Sequence, residues 1–108
     1  MTAKIIITTT ENIPGRKVQI ILGVVRGNTI RARHIGRDIM AGLKTIVGGE
    51  IKSYTELISQ ARDEAMQRMT DEAKKLGADA VVMMRFETSE VMPQAAEVLA
   101  YGTAVKLE

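Results

Sequence analysis

Residues 53–77, SYTELISQARDEAMQRMTDEAKKLG, decide the fold. Tyr54, Leu57, Ile58, Ala61, Ala65, Met69, Ala73 and Leu76 recur at three- and four-residue spacing. That period lays them in one stripe along an α-helix and leaves the opposite side to charged residues. Ser53 and Glu56 have the spacing of a capping box, in which each side chain takes a backbone N–H at the helix start. Glu64/Arg68 and Asp71/Lys75 are acid-first pairs four residues apart, worth about 0.2–0.5 kcal/mol each. Lys74 and Lys75 suit the negative end of the helix, and Gly77 can adopt the left-handed conformation that closes it. At ~1.5 Å per residue the helix is roughly 34 Å long, and a stripe of that length needs a sheet beneath it.

The flanking segments supply the strands. After the helix, residues 80–88 (AVVMMRFET) and 96–107 (AEVLAYGTAVKL) read as a hairpin, separated by residues 89–94 with Pro93 as breaker. Before it, the β-branched run IIITTT at 5–10 predicts an N-terminal strand closed by Pro14-Gly15. Residues 18–27, VQIILGVVRG, form a longer strand ending at the turn signal Gly27-Asn28, with a short extended piece over 29–33. Asp38 caps a short helix over 39–45, ended by Gly48-Gly49. The order is strand, strand, short helix, long helix, strand, strand: an α+β fold with an antiparallel sheet covered by one long helix. A helix ~10 Å wide covers one face of strands spaced ~4.8 Å apart. Yet the strand at 18–27 is apolar on both faces, with Ile21 and Val25 on the side away from Leu22 and Val24. In the last strand Leu99 and Tyr101 share a face with Val105 and Leu107, opposite Val98, Ala100 and Ala104. A second copy of the chain is the simplest cover for what the helix leaves, which makes Ile21, Val25, Leu99 and Tyr101 the expected oligomer contact.

Composition narrows the function. With 108 residues the chain is expected to be a single domain, 1–108. Zero cysteines exclude disulfides, thiolate metal sites and cysteine nucleophiles, and one histidine, His34, remains. No run approaches the ~18 apolar residues of a membrane span, and the opening residues lack a signal-peptide pattern, so a cytoplasmic protein with no membrane partner is expected. No pair of titratable groups has a spacing that brings them together for acid–base work, so no catalytic residue is assigned and a non-enzyme is expected. The charge is uneven. Up to Arg37 seven Lys/Arg face a single acid, Glu11, giving +6, and the remainder carries −4. Within the basic stretch, Arg31, Arg33 and Arg37 are the candidate anion-binding residues for a small anionic ligand. The stretch has no interleaved aromatic for stacking bases, which argues against nucleic acid as partner. A half-basic, half-acidic protomer also suits subunit pairing, and subunit pairing or plain solvation of the charges is the preferred reading.

One combination is specific as a set: Gly48-Gly49-Glu50, Tyr54-Thr55-Glu56-Leu57, Ala61-Arg62, Ala65, Arg68-Met69, Ala73, Leu76-Gly77-Ala78-Asp79-Ala80-Val81 and Tyr101-Gly102-Thr103-Ala104-Val105. On these residues, which run through nearly the whole chain, it resembles the YbjQ-like family, labelled as heavy-metal-binding. The resemblance implies a dodecin-like β-α-β-β fold in two layers, assembled as a cyclic homopentamer in which short extra strands tie neighbouring subunits. It also makes a metal the cofactor to consider. Soft heavy metals favour thiolates and imidazoles, so His34 is the one candidate ligand, and only a ring bringing several copies together would build a multi-ligand site from it. The methionines read as core, and Gly48-Gly49 as a turn without the Lys-Ser/Thr of a phosphate loop. Three functions follow in order: a non-catalytic oligomeric ring of unknown ligand, a metal-binding protein, and an enzyme whose site is shared between subunits.

Overall fold

The computed structural model describes residues 4–32, 46–47, 50–92 and 95–108. Six strands, β1 (Ile6–Ile7), β2 (Val18–Ala32), β3 (Ile46–Val47), β4 (Glu50–Ile51), β5 (Ala80–Met92) and β6 (Ala95–Leu107), and one helix, α1 (Lys52–Lys75), make up the described structure. Four of the strands form one sheet in the order β1-β5-β6-β2, with α1 on one face. The architecture is therefore the α+β arrangement the sequence predicts, with one correction. β1 lies parallel to β5, Ile6 beside Ala80 and Ile7 beside Val81, so the sheet is mixed rather than wholly antiparallel. The reason lies in the connection. The chain leaving β1 crosses to the far edge of the sheet before β2 begins, and Ile13 packs on the way against Ala80, Val82, Val105 and Leu107.

The middle of the apolar stripe of α1 is buried as its spacing requires, whereas Leu57 and Ile58 are half-buried and Leu76, past the helix end, is 47% exposed. Ala61, Ala65, Met69 and Ala73 are fully buried against Val25, Val81, Met84, Val98, Ala100 and Ala104 of the sheet. Alanine at three of those four places lets the helix axis approach the strands closely. Gly27 completes the approach, because a Cβ there would lie 2.3 Å from both the Ala65 carbonyl oxygen and the Met69 nitrogen. The glycine that reads as a turn is thus a helix contact in mid-strand, and β2 continues through Gly27-Asn28 to Ala32 paired with β6. At the helix end Gly77 has φ +77°, its N–H donates to the Lys74 carbonyl at 3.0 Å and that of Ala78 to the Ala73 carbonyl at 3.1 Å. This is the double bond of a glycine-terminated helix.

Two irregularities re-aim side chains. In β2 the register slips between Ile21 and Gly23, with Gly23 at φ +141°. The bulge turns Leu22 and Val25 to the same helix-side core, although strict alternation puts them on opposite faces. In β5 the register slips between Val82 and Arg85, where Met83 takes φ +56°. The N–H groups of Met83 and Met84 there donate to the carbonyls of Thr10 and Thr8, and Arg85 Nη1 donates to that of Thr9, which fixes the N-terminal arm. The hairpin is also longer than predicted. β5 runs to Met92, leaving only positions 93–94 of the expected 89–94 break, because Met92 still pairs with Ala95. β3 and β4 pair as a small hairpin on either side of Gly48-Gly49. The expected short helix over 39–45 and the Ser53 cap lie outside the described residues and side chains.

Candidate functional site

The face of the sheet away from α1 is where the protomer leaves polar and apolar groups exposed together. Beyond the small cluster covered by Ile13, the strand register sets three cross-strand rows: Arg26, Tyr101 and Arg85; Asn28, Leu99 and Glu87; Ile30, Glu97 and Ser89. In a sheet, residues directly opposite one another project to the same face. The result is an open groove of about 450 Å³ lined by Val24, Arg26, Glu87, Glu97, Leu99 and Tyr101. Val24 is 76% exposed, Ile21 is 69% exposed and Ile30 is 57% exposed along the same strand.

One ionic cluster sits at its back. The Glu64 carboxylate accepts from the guanidinium groups of both Arg31 and Arg68, joining α1 to β2. Arg68 Nη1 also donates to the Asn28 carbonyl at 2.6 Å, while Asn28 Nδ2 donates to Glu97 Oε2 at 3.1 Å. A chain of contacts thus runs from the helix through β2 to the groove. The hydrogen bond from Arg31 holds the Glu64 carboxyl below the usual carboxylate range, against the opposing effect of burial, and the charges of Arg31 and Arg68 add to it. The second helix pair differs from expectation. Lys75 bonds Glu72 at 3.5 Å rather than Asp71, whose carboxylate accepts from Gln67 at 2.9 Å.

The structure separates the residues singled out from sequence. Leu99 and Tyr101 line the groove, and Ile21 is exposed farther along β2 on the same face. Val25, expected beside Ile21, is 3% exposed and belongs to the core under α1, because the bulge at Gly23 turns it inward. Arg31 is occupied by Glu64, so the acid that balances it comes from the helix rather than from its own carboxylate-free stretch. Arg33, His34 and Arg37 lie outside the described residues. Met69 and Met84 are buried, as the core reading of the methionines has it, but Met83 and Met92 are 42% and 60% exposed. Arg26, Glu87 and Glu97 were not singled out by sequence reasoning. Their signal is the pairing register, which a single strand read alone does not contain.

As a metal site this face is poorly equipped. Among the described residues no group of three or more His, Cys, Asp or Glu comes together. The groove offers two carboxylates, one already bonded to Asn28, and no imidazole or thiolate. Such a set does not fit a soft heavy metal. A second recess, of about 370 Å³, lies between the N-terminal arm and α1, with Ile5, Ile7 and Met66 inside and Lys4, Asp63 and Lys74 among its charged lining.

Comparison with known proteins returns one consistent set. A family model described as "Putative heavy-metal-binding" matches residues 5–108. A UPF0145 protein of Archaeoglobus fulgidus is 66% identical over 107 residues, covering 99% of each chain. Another from Thermotoga maritima is 60% identical over 103 residues, 95% of this chain and 97% of the relative. The crystal structure of a protein of unknown function from the DUF74 family of Pediococcus pentosaceus superposes with a TM-score of 0.67 at 21% identity, covering 96% of this chain and 98% of that one. At that identity the structural likeness speaks for the fold alone.

Proposed function

The chain belongs to the YbjQ family described as heavy-metal-binding, over residues 5–108, and on that premise we propose that it works as a non-catalytic homo-oligomer, a closed ring of subunits. Five is the number that the family resemblance implies. The observation that carries the reading is the state of β2, an edge strand of 15 residues in the four-stranded sheet. Ile20, Ile21, Val24 and Ile30 are each more than half exposed. Long apolar edges are templates for pairing, and proteins that stay monomeric blunt them.

The shape of the protomer supports the same reading. It measures 53 × 26 × 26 Å with a radius of gyration of 17.2 Å, against ~13 Å for a compact domain of about 100 residues. Such a rod exposes more of its apolar surface than a globule, and neighbours in a ring would cover it.

Metal binding is weaker as a function of the protomer, because the described donors do not fit a soft metal. A site would need His34 from several subunits, placed on the ring axis. The basic stretch loses Arg31 to Glu64, which leaves an anion site dependent on Arg33 and Arg37. None of the described helices is long and apolar enough to cross a membrane, and the cytoplasm is the location proposed. Sedimentation equilibrium at micromolar concentration tests the assembly: a discrete species of several subunits is expected, and a folded single chain near 11.8 kDa overturns it.

A further inference from the structure

The second recess lies at the edge of the sheet that the ring reading does not use. β1 and β2 are opposite edges, and the recess is walled by the N-terminal arm on one side and α1 on the other. Its inner wall is apolar and continuous with the core: Ile5 is 8% exposed, and Ile7 and Met66 are half-buried against the same cluster. Some of its polar groups are already used. Gln67 Nε2 donates to Asp71 at 2.9 Å, and Thr70 Oγ1 donates to the Met66 carbonyl at 2.8 Å. The ammonium groups of Lys4 and Lys74, in contrast, have no partner among the described residues.

Chain direction puts both lysines at one end. α1 turns back into β5 through residues 76–79, and β1 runs parallel to β5, with the Ile6 N–H on the Asp79 carbonyl at 3.2 Å. The arm therefore starts beside the C-terminal end of α1, with Lys4 at the same end as Lys74. Asp63 lies three helical turns earlier, about 16 Å along the axis, and marks the other end. Because the Ile6 and Thr8 N–H groups both donate to β5, alternation turns the Ile5 N–H off the open edge of the sheet. Two unpaired cations and a backbone donor thus gather at one end of an apolar wall.

We propose that this recess binds a small aliphatic carboxylate, its anionic end at Lys4 and Lys74 and its chain along Ile5, Ile7 and Met66. An inorganic anion would leave the apolar wall unused. The volume of about 370 Å³ suits a small ligand. A peptide added as a strand finds few outward backbone groups, because beyond Thr8 the arm bends and the Thr10 N–H turns back on Thr8 Oγ1 at 3.1 Å.

Isothermal titration calorimetry of the full chain with butanoate, hexanoate and octanoate, below micelle-forming concentrations, tests it. Octanoate is expected to saturate one site per chain, and affinity should rise about two- to fourfold with each methylene, the upper figure being full burial. Octylammonium, with the same chain and the opposite charge, should not bind. Lys4→Gln/Lys74→Gln, at two exposed positions, should weaken octanoate about tenfold or more, with circular dichroism and native mass those of the wild type. A wild type without saturable octanoate binding, equal binding of octylammonium, affinity independent of chain length, or a double variant that binds as the wild type overturns the proposal. So does a peptide with an apolar C-terminal residue and a free carboxylate that binds more tightly than octanoate, which would assign the edge to strand addition. None of these readouts depends on the number of subunits, so the ring stands or falls separately.

Discussion

Gly27 and Glu64 show how single residues fix the seat of the helix on the sheet. A Cβ at Gly27 would meet backbone atoms of α1 at 2.3 Å, and backbone cannot rotate away as a side chain can. Gly27→Ala is therefore expected to push the helix off β2 and to cost about 3 kcal/mol or more, read as a lower midpoint in chemical denaturation. Gly102→Ala should cost less, because its nearest neighbour is Val81 Cγ1 at 2.6 Å, the end of a side chain. Glu64 acts through charge. Its pKa in the folded state lies below the ordinary carboxylate value, chiefly through the bond from Arg31. The folded protein therefore holds that proton less tightly than the unfolded chain, and the stabilisation is full above the unfolded-state pKa of about 4.3. It is lost as pH falls through the lowered folded value. The stability difference between wild type and Glu64→Gln should be present at neutral pH and disappear in acid. A difference that stays constant down through that range contradicts the assignment.

At the level of elements, the parts legible in the sequence are those whose signal is local. The helix could be read because its stripe, its basic last turn and Gly77 all lie within 25 consecutive residues, and the structure places α1 at Lys52–Lys75. The left-handed Gly77 makes a quantitative expectation possible. Gly77→Ala should lower stability by about 1 kcal/mol, seen in thermal melts, while leaving helix content in circular dichroism nearly unchanged. The four strands of the main sheet were legible, though poorly in detail, and the β3–β4 pair was not read as strands. Alternation assigns Val25 to the wrong face because one extra residue at the Gly23 bulge inverts everything after it, and nothing in VQIILGVVRG apart from the glycine announces the slip. Gly27 reads as a turn because its actual reason, contact with Ala65 and Met69, lies about forty positions along the chain. The groove was illegible for the same reason. Tyr101 and Leu99 could be placed on a face, but their neighbours Arg26 and Glu87 are set by register across three strands.

For the whole molecule, the distinction between Val25 and Ile21 separates folding from assembly. Both stand in one apolar strand four residues apart, yet Val25 is 3% exposed under α1 and Ile21 is 69% exposed on the helix-free face. An aspartate at position 25 places a charge in the protomer's own core with no partner, which costs about 3–5 kcal/mol when a buried charge is left uncompensated. Total stability for such a domain is only ~5–15 kcal/mol, so Val25→Asp should leave a largely unfolded or aggregated chain at any concentration. The aspartate of Ile21→Asp is solvated in an isolated protomer and becomes costly only when a neighbour covers it. Sedimentation of Ile21→Asp should show a shift toward the single chain, with the far-ultraviolet spectrum of the helix retained. Because assembly stabilises folding by mass action, the wild type should also melt at a temperature that rises with protein concentration, and the variant should lose that dependence. Wild-type and Ile21→Asp proteins with the same mass and the same concentration-independent melting would mean that the exposed face of β2 takes no part in a subunit contact.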